Sequence, residues 1–70
     1  MGKTEKSVRI GQKLRTLRDI RPRSGVARAI GISYNALANY ECGMRVPPDD
    51  VKVKLADYYK VSIQDLFYSN

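Results

Sequence analysis

Apolar residues recur along this chain with the period of a helix, in a series of short runs broken by glycine and proline. Ile10, Leu14 and Leu17 fall at i, i+4 and i+7 and form one stripe. Ser7 stands just before the run as a candidate N-cap, which predicts a first helix from about Val8 to Ile20. Lys13 and Arg15 lie off the stripe. Arg18, four residues after Leu14, runs its stem along the apolar border. An arginine there is either a snorkelling surface residue or one held by a buried acid. Pro22 interrupts the helix. A second, shorter helix then runs from Arg23 or Ser24 to Ile30, with Val26, Ala27 and Ile30 as its apolar side. Gly25 inside it costs about 1 kcal/mol relative to alanine, and Gly31 closes it as a left-handed C′ residue does.

Only Ile32 separates Gly31 from Ser33, the next N-cap, so a third helix starts almost at once, from Tyr34 to about Glu41. Two helices joined by so short a glycine turn cross steeply. Ala27 is small enough to let them approach. At about 100° per residue, Ala36, Leu37 and Tyr40 share one side of the third helix, and Tyr34, Asn35, Ala38 and Asn39 share the other. Gly43 closes it, and the loop MRVPP follows. Asp49 and Asp50 then place negative charge at the start of a fourth helix, where the helix dipole favours it. That helix runs to about Tyr59, with Val51, Leu55 and Tyr58 at i, i+4 and i+7. Ser62 and Asp65 form an S-x-x-D capping box that opens a last short helix, with Ile63, Leu66 and Phe67 at i, i+3 and i+4. There is no strand pattern, repeat or linker. The pattern predicts an all-α fold of five short helices around one core.

Composition narrows the chemistry. Seventy residues make one domain, with room for a compact core and little for a deep catalytic pocket. There is one cysteine, Cys42, and no histidine. An intrachain disulfide and a Cys/His metal cluster are therefore both impossible, and neither metal nor cofactor is expected. Cys42 reads as a small residue near a helix end, in keeping with a reducing compartment. Asp49 and Asp50 diverge at a helix start and form no catalytic dyad, so the chain is not expected to be an enzyme. The net charge is +6, from 13 lysines and arginines against 7 acids, which favours a polyanionic partner over a merely solvated basic surface. No apolar run approaches the roughly 18 residues of a membrane span. The opening MGKTEKS has neither a signal peptide's apolar stretch nor, with Lys6 where Ser or Thr is needed, a myristoylation signal. Residues 1–7 read as a flexible basic arm and 8–70 as the domain, in a protein of the cytoplasm.

The outer face of the third helix is polar yet uncharged. Asparagine donates and accepts at once, so it can pair bidentately with adenine. Tyrosine offers a hydroxyl and a flat face. Base reading wants donors and acceptors, whereas attraction to phosphate wants charge. A steep helix pair over about residues 23–41 of a basic domain suggests helix-turn-helix binding to double-stranded DNA, the second helix lying in the major groove. Tyr34, Asn35 and Asn39 are the candidates for base contact. Arg23, Ser33, Arg45 and Lys52, with Lys54 as a further cation, are the candidates for phosphate. The competing reading is an ordinary solvated helix face.

The order IGQKLRTLRD, VARAIGIS, LANYECGMRVPP and LADYYKVSIQDLF, over residues 10–67, resembles the Cro/repressor-like helix-turn-helix family, often called XRE. The densest match runs from Val26-Ala27 through Ile30-Gly31-Ile32-Ser33 to Leu37, Tyr40, Glu41 and Gly43. The resemblance implies a compact five-helix, lambda-repressor-like DNA-binding domain. It implies base reading from the first two positions of the recognition helix and a later one, here Tyr34, Asn35 and Asn39, and a phosphate contact from the first residue of the second helix, here Arg23. It also implies a buried ion pair between the ends of helices one and three, here Arg18 and Glu41. Two departures stand out. The link from Arg18 to Arg23 is two residues shorter than the usual pattern, with Pro22-Arg23 in place of Thr-Gln, and Cys42 and Met44 replace polar or basic residues. The expected protein is a sequence-specific transcriptional regulator, a repressor from a bacterium, phage or mobile element, acting in the bacterial cytoplasm and nucleoid. One recognition helix covers about half a turn of duplex, so a homodimer is expected, formed in solution or on DNA alone, with Phe67 or Tyr68 at its interface. The alternative is an adaptor or antitoxin-type module on the same fold.

Overall fold

In the computed structural model, which describes residues 4–68, the chain forms α1 (Glu5–Arg18), α2 (Arg23–Ile30), α3 (Tyr34–Glu41), α4 (Asp49–Tyr59) and a last wide, π-type helical turn, α5 (Gln64–Tyr68). The first helix starts earlier than its apolar stripe. Thr4 is the N-cap: its hydroxyl accepts from Ser7 N at 3.0 Å, and the Ser7 hydroxyl accepts from Thr4 N at 2.8 Å. Residues 5–7 are therefore helical and not part of a flexible arm, and residues 1–3 lie outside the described residues. Ser7 is not a cap. It is buried in the first turn and donates to the Gly43 carbonyl at 2.7 Å, stitching the start of α1 to the chain leaving α3. At its other end α1 stops at Arg18. Asp19 turns the chain with φ 54° and ψ −121°, and Ile20, expected inside the helix, is 92% exposed.

The turn between α2 and α3 follows from Gly31, which takes φ 78° and ψ 32°. Its amide bonds to the Arg28 carbonyl at 3.2 Å and that of Ile32 to the Ala27 carbonyl at 3.0 Å, a Schellman-type closure. Ser33 then caps α3 by accepting from Ala36 N at 3.0 Å. The core is filled from every helix: Ile10 and Leu14, Val26, Ala27 and Ile30, Leu37 and Tyr40, Val51, Leu55, Ala56 and Tyr59, and finally Leu66 and Phe67. Two positions differ from the expected stripes. Ala56 is buried in α4, which rotates the inward face so that Tyr59 takes the central place and Tyr58 is only half-buried. In α5, Phe67 is 3% exposed and seals the core, while Ile63 lies at its margin. Phe67 is thus unavailable as a dimer contact.

The crossing of α1 over α3 is set by Gly11. A Cβ there would stand 2.7 Å from the Tyr40 carbonyl oxygen and nearer still to that of Glu41. At Gly31 the constraint is the opposite one: a Cβ would meet nothing, but the left-handed backbone disfavours any L side chain. Gly31→Ala is expected to lose only the backbone term, about 1–2 kcal/mol. Gly11→Ala should lose more in melting temperature, despite about 1 kcal/mol of gained helix propensity, because backbone must move to admit the methyl group. A Gly11→Ala protein melting at or above wild type would contradict the close crossing.

Candidate nucleic-acid interface

α3 has eight residues and two unlike sides. Leu37, Tyr40 and Glu41 face inward and are buried. Tyr34 and Asn35 are exposed and Asn39 is half-buried, so the three base-contact candidates lie along one outward sector of the helix. Among the described residues neither asparagine side chain is tied up by a hydrogen bond, which leaves donors and acceptors available to a partner.

Glu41 explains how this face is held. Its side chain is wholly buried, and each carboxylate oxygen takes one arginine. Arg18 Nε, from the end of α1, donates to Oε2 at 2.7 Å. Arg23 Nε, from the start of α2, donates to Oε1 at 2.9 Å. The sequence pointed to two members of this cluster; Arg23 is the third. It would have been visible only by noticing that one buried carboxylate can accept two arginines and that the shortened link brings residue 23 near residue 18. Arg23 also reaches outward. Its Nη1 donates to the Tyr34 hydroxyl at 3.4 Å, and its guanidinium carbon lies 5.6 Å from the Tyr34 ring centre. Burial pulls the Arg23 pKa down, but hydrogen bonds to Glu41 and Tyr34 and the charge of Glu41 outweigh it, and the net shift is upward. Arg23 is therefore no unencumbered phosphate arm. It spans the buried acid and the first residue of α3.

The other cations sort differently. Arg45 is exposed in the loop after α3. Ser33 spends its oxygen on the cap and keeps its hydroxyl proton to donate. Lys52 does not stand as the expected phosphate arm. Its Nζ donates to the Tyr68 hydroxyl at 2.9 Å and lies 4.9 Å from the Tyr68 ring centre and 5.5 Å from that of Phe67. Its side chain is only 11% exposed, so it is packed against α5 as a structural cation. Lys54 remains exposed. Behind the cluster, the buried Tyr59 hydroxyl has no hydrogen-bond partner among the described residues. Its pKa is pushed up to about 12, first by burial and then by the charge of Glu41.

A helix-turn-helix family model matches residues 12–66. Solved structures similar to this chain include the restriction-modification controller protein C.AhdI from Aeromonas hydrophila, 26% identical over 91% of this chain and all of that one, with a TM-score of 0.82. The SOS-response transcriptional repressor LexA from Eubacterium rectale is 21% identical over all of this chain and 77% of that one, with a TM-score of 0.88. The P22 c2 repressor, solved in complex with a synthetic operator, is 20% identical over 87% of this chain and 96% of that one, with a TM-score of 0.78. The latter two likenesses show the fold. No curated protein sequence matches the chain. Among the described residues, no helix is long and apolar enough to cross a membrane.

Two stability outcomes follow. Glu41→Ala leaves two arginines without their shared acid, one of them only 18% exposed, and losses for such broken pairs run to about 3–5 kcal/mol. A large fall in melting temperature is expected, and a shift of a degree or two would exclude the buried cluster. Tyr59 gives a pH signature. Its folded pKa of about 12 lies above the ordinary 10.0, so between these values the unfolded chain loses a proton that the folded one keeps. Stability should therefore fall as pH rises from 10 toward 12. Tyr59→Phe removes that part of the alkaline loss. It should cost nothing at neutral pH, because it deletes a hydroxyl without a partner. Urea melts of both proteins at pH 7 and 11 make the comparison.

Proposed function

The chain belongs to the XRE-type, Cro/repressor-like helix-turn-helix family of DNA-binding regulators, and from that premise we propose that it is a sequence-specific transcriptional repressor acting on operator DNA in the cytoplasm. The observation that carries the reading is the outer face of α3. A helix end pinned by a buried acid presents Tyr34, Asn35 and Asn39 outward, and these side chains can complement base edges in a major groove. C.AhdI, a controller protein, and the LexA and P22 c2 repressors, the last with its operator, support the assignment by their folds and roles. In this reading Arg45, Ser33 and the outward donors of Arg23 contact phosphates and fix register, while the asparagines read sequence. Two chains bind two half-sites about 10 base pairs apart. With Phe67 in the core, Tyr68, 49% exposed, is the remaining aromatic for their contact.

Selection of bound sites from a random duplex pool, followed by mobility shift, tests this. Asn35→Ala and Asn39→Ala should each cost about 1–3 kcal/mol on the selected site and leave affinity for random duplex nearly unchanged, since phosphates dominate it. Sedimentation should give two chains per selected duplex. Equal losses on both duplexes would reject base reading, and a protein that selects no site would be an adaptor on the same fold.

A further inference from the structure

The contact between Arg23 and Tyr34 constrains what the recognition helix can read. Guanidinium N–H groups only donate. In the Arg23 contact the Tyr34 oxygen is therefore the acceptor, and the phenolic proton turns away from Arg23. Tyr34 is 52% exposed, so its proton is free to be donated to a partner lying against α3. Arg23 cannot swing aside without cost, because its Nε is committed to the wholly buried Glu41.

We propose that Arg23 makes Tyr34 an obligate hydrogen-bond donor, so that the tyrosine selects a base presenting an acceptor in the major groove and rejects cytosine. This deepens the proposed function and rests on α3 being the base-contacting helix. Guanine offers N7 and O6 in the major groove, adenine N7 and thymine O4. Cytosine offers only the N4 amino donor. A tyrosine free to rotate its proton accepts from cytosine as readily as it donates to the others. A tyrosine whose oxygen already accepts from Arg23 meets the cytosine amino group donor to donor. Arg23 is then a positioning residue for base choice: it acts through the hydroxyl of Tyr34.

The test is site selection from a random duplex pool with three proteins: wild type, Tyr34→Phe and Arg23→Lys. The lysine variant keeps a cation beside Glu41 but lacks the fork that reaches carboxylate and hydroxyl together, so the buried acid stays compensated. Wild type should deplete cytosine at one position of each half-site. Tyr34→Phe should relax that depletion by about 3- to 10-fold, the worth of one hydrogen bond, and leave the other positions alone. Arg23→Lys should relax the same position although the hydroxyl is still present, a result that loss of packing alone would not give. An unchanged profile for Tyr34→Phe overturns the proposal. So does a Tyr34→Phe loss spread equally over selected and random duplex, which would place the hydroxyl on a phosphate oxygen. Arg23→Lys retaining full cytosine rejection while Tyr34→Phe loses it overturns the role of Arg23. A wild-type protein that selects no site at all removes base reading itself, and this inference with it.

Discussion

Moving a carboxylate out of water costs several kcal/mol, and the cost is recovered only if well-placed partners take its oxygens. Glu41 is removed from water completely, and it takes its two partners from two other helices. That requirement fixes much of the molecule. The end of α3 must lie where the end of α1 and the start of α2 can both reach it. The same end of α3 is held twice more, by the Ser7 hydroxyl on the Gly43 carbonyl and by the close passage of α1 at Gly11. Every one of these ties acts on the C-terminal half of α3. Its N-terminal half rests on the Ser33 cap and on the reach of Arg23 to Tyr34. A helix anchored at its rear and presented at its front suits reading, because a contact side chain is useful only if its backbone holds still.

The cluster also shapes the charge seen from outside. The one acid of α3 is turned inward and neutralised, so the outward face carries hydrogen-bonding groups without formal charge. Positive charge stands beside that face at Arg45, which is exposed and whose backbone amide bonds to the Asn39 carbonyl at 3.4 Å. A strongly basic protein can thus attract a polyanion through its surroundings while the outward face of α3 keeps uncharged donors and acceptors.

The helix pair was legible in the sequence because its signals are local. Gly31 at the left-handed cap, Ser33 one residue beyond Ile32 and the alternation of Leu37 and Tyr40 against Asn35 and Asn39 each act within a turn or two. The errors arise where a residue's role is set by something distant. Ser7 looks like a cap because it precedes the apolar stripe, but a carbonyl 36 residues away draws it into the interior and leaves Thr4 to cap. Lys52 looks like a surface cation until α5 folds over it and supplies two rings. Spacing assigns the core to Ile63 and Leu66 and leaves Phe67 outside, but the packed chain buries Phe67 beside Leu66 and leaves Ile63 at the margin. The pairing of Arg18 with Glu41 entered through resemblance to a family. Arg23 as a third partner did not, because the family pattern assigns that position to phosphate.

The shortened link between α1 and α2 connects these observations. Only residues 19–22 separate the two helices. To turn so quickly, Asp19 adopts a left-handed φ of 54°, which disfavours a side chain with a Cβ. The turn is braced from both sides: Arg18 Nη1 donates to the Arg21 carbonyl at 2.8 Å, and the Arg21 guanidinium lies 5.6 Å and 5.8 Å from the Tyr58 and Tyr59 ring centres. A longer link would let the start of α2 drift from the end of α1. With the short one, residues 18 and 23 converge on a single point, and an arginine at each can share one carboxylate. The positive φ at Asp19 and the second arginine on Glu41 are thus both compatible with a link of only four residues. Arg23, held there by Glu41, is also in reach of Tyr34.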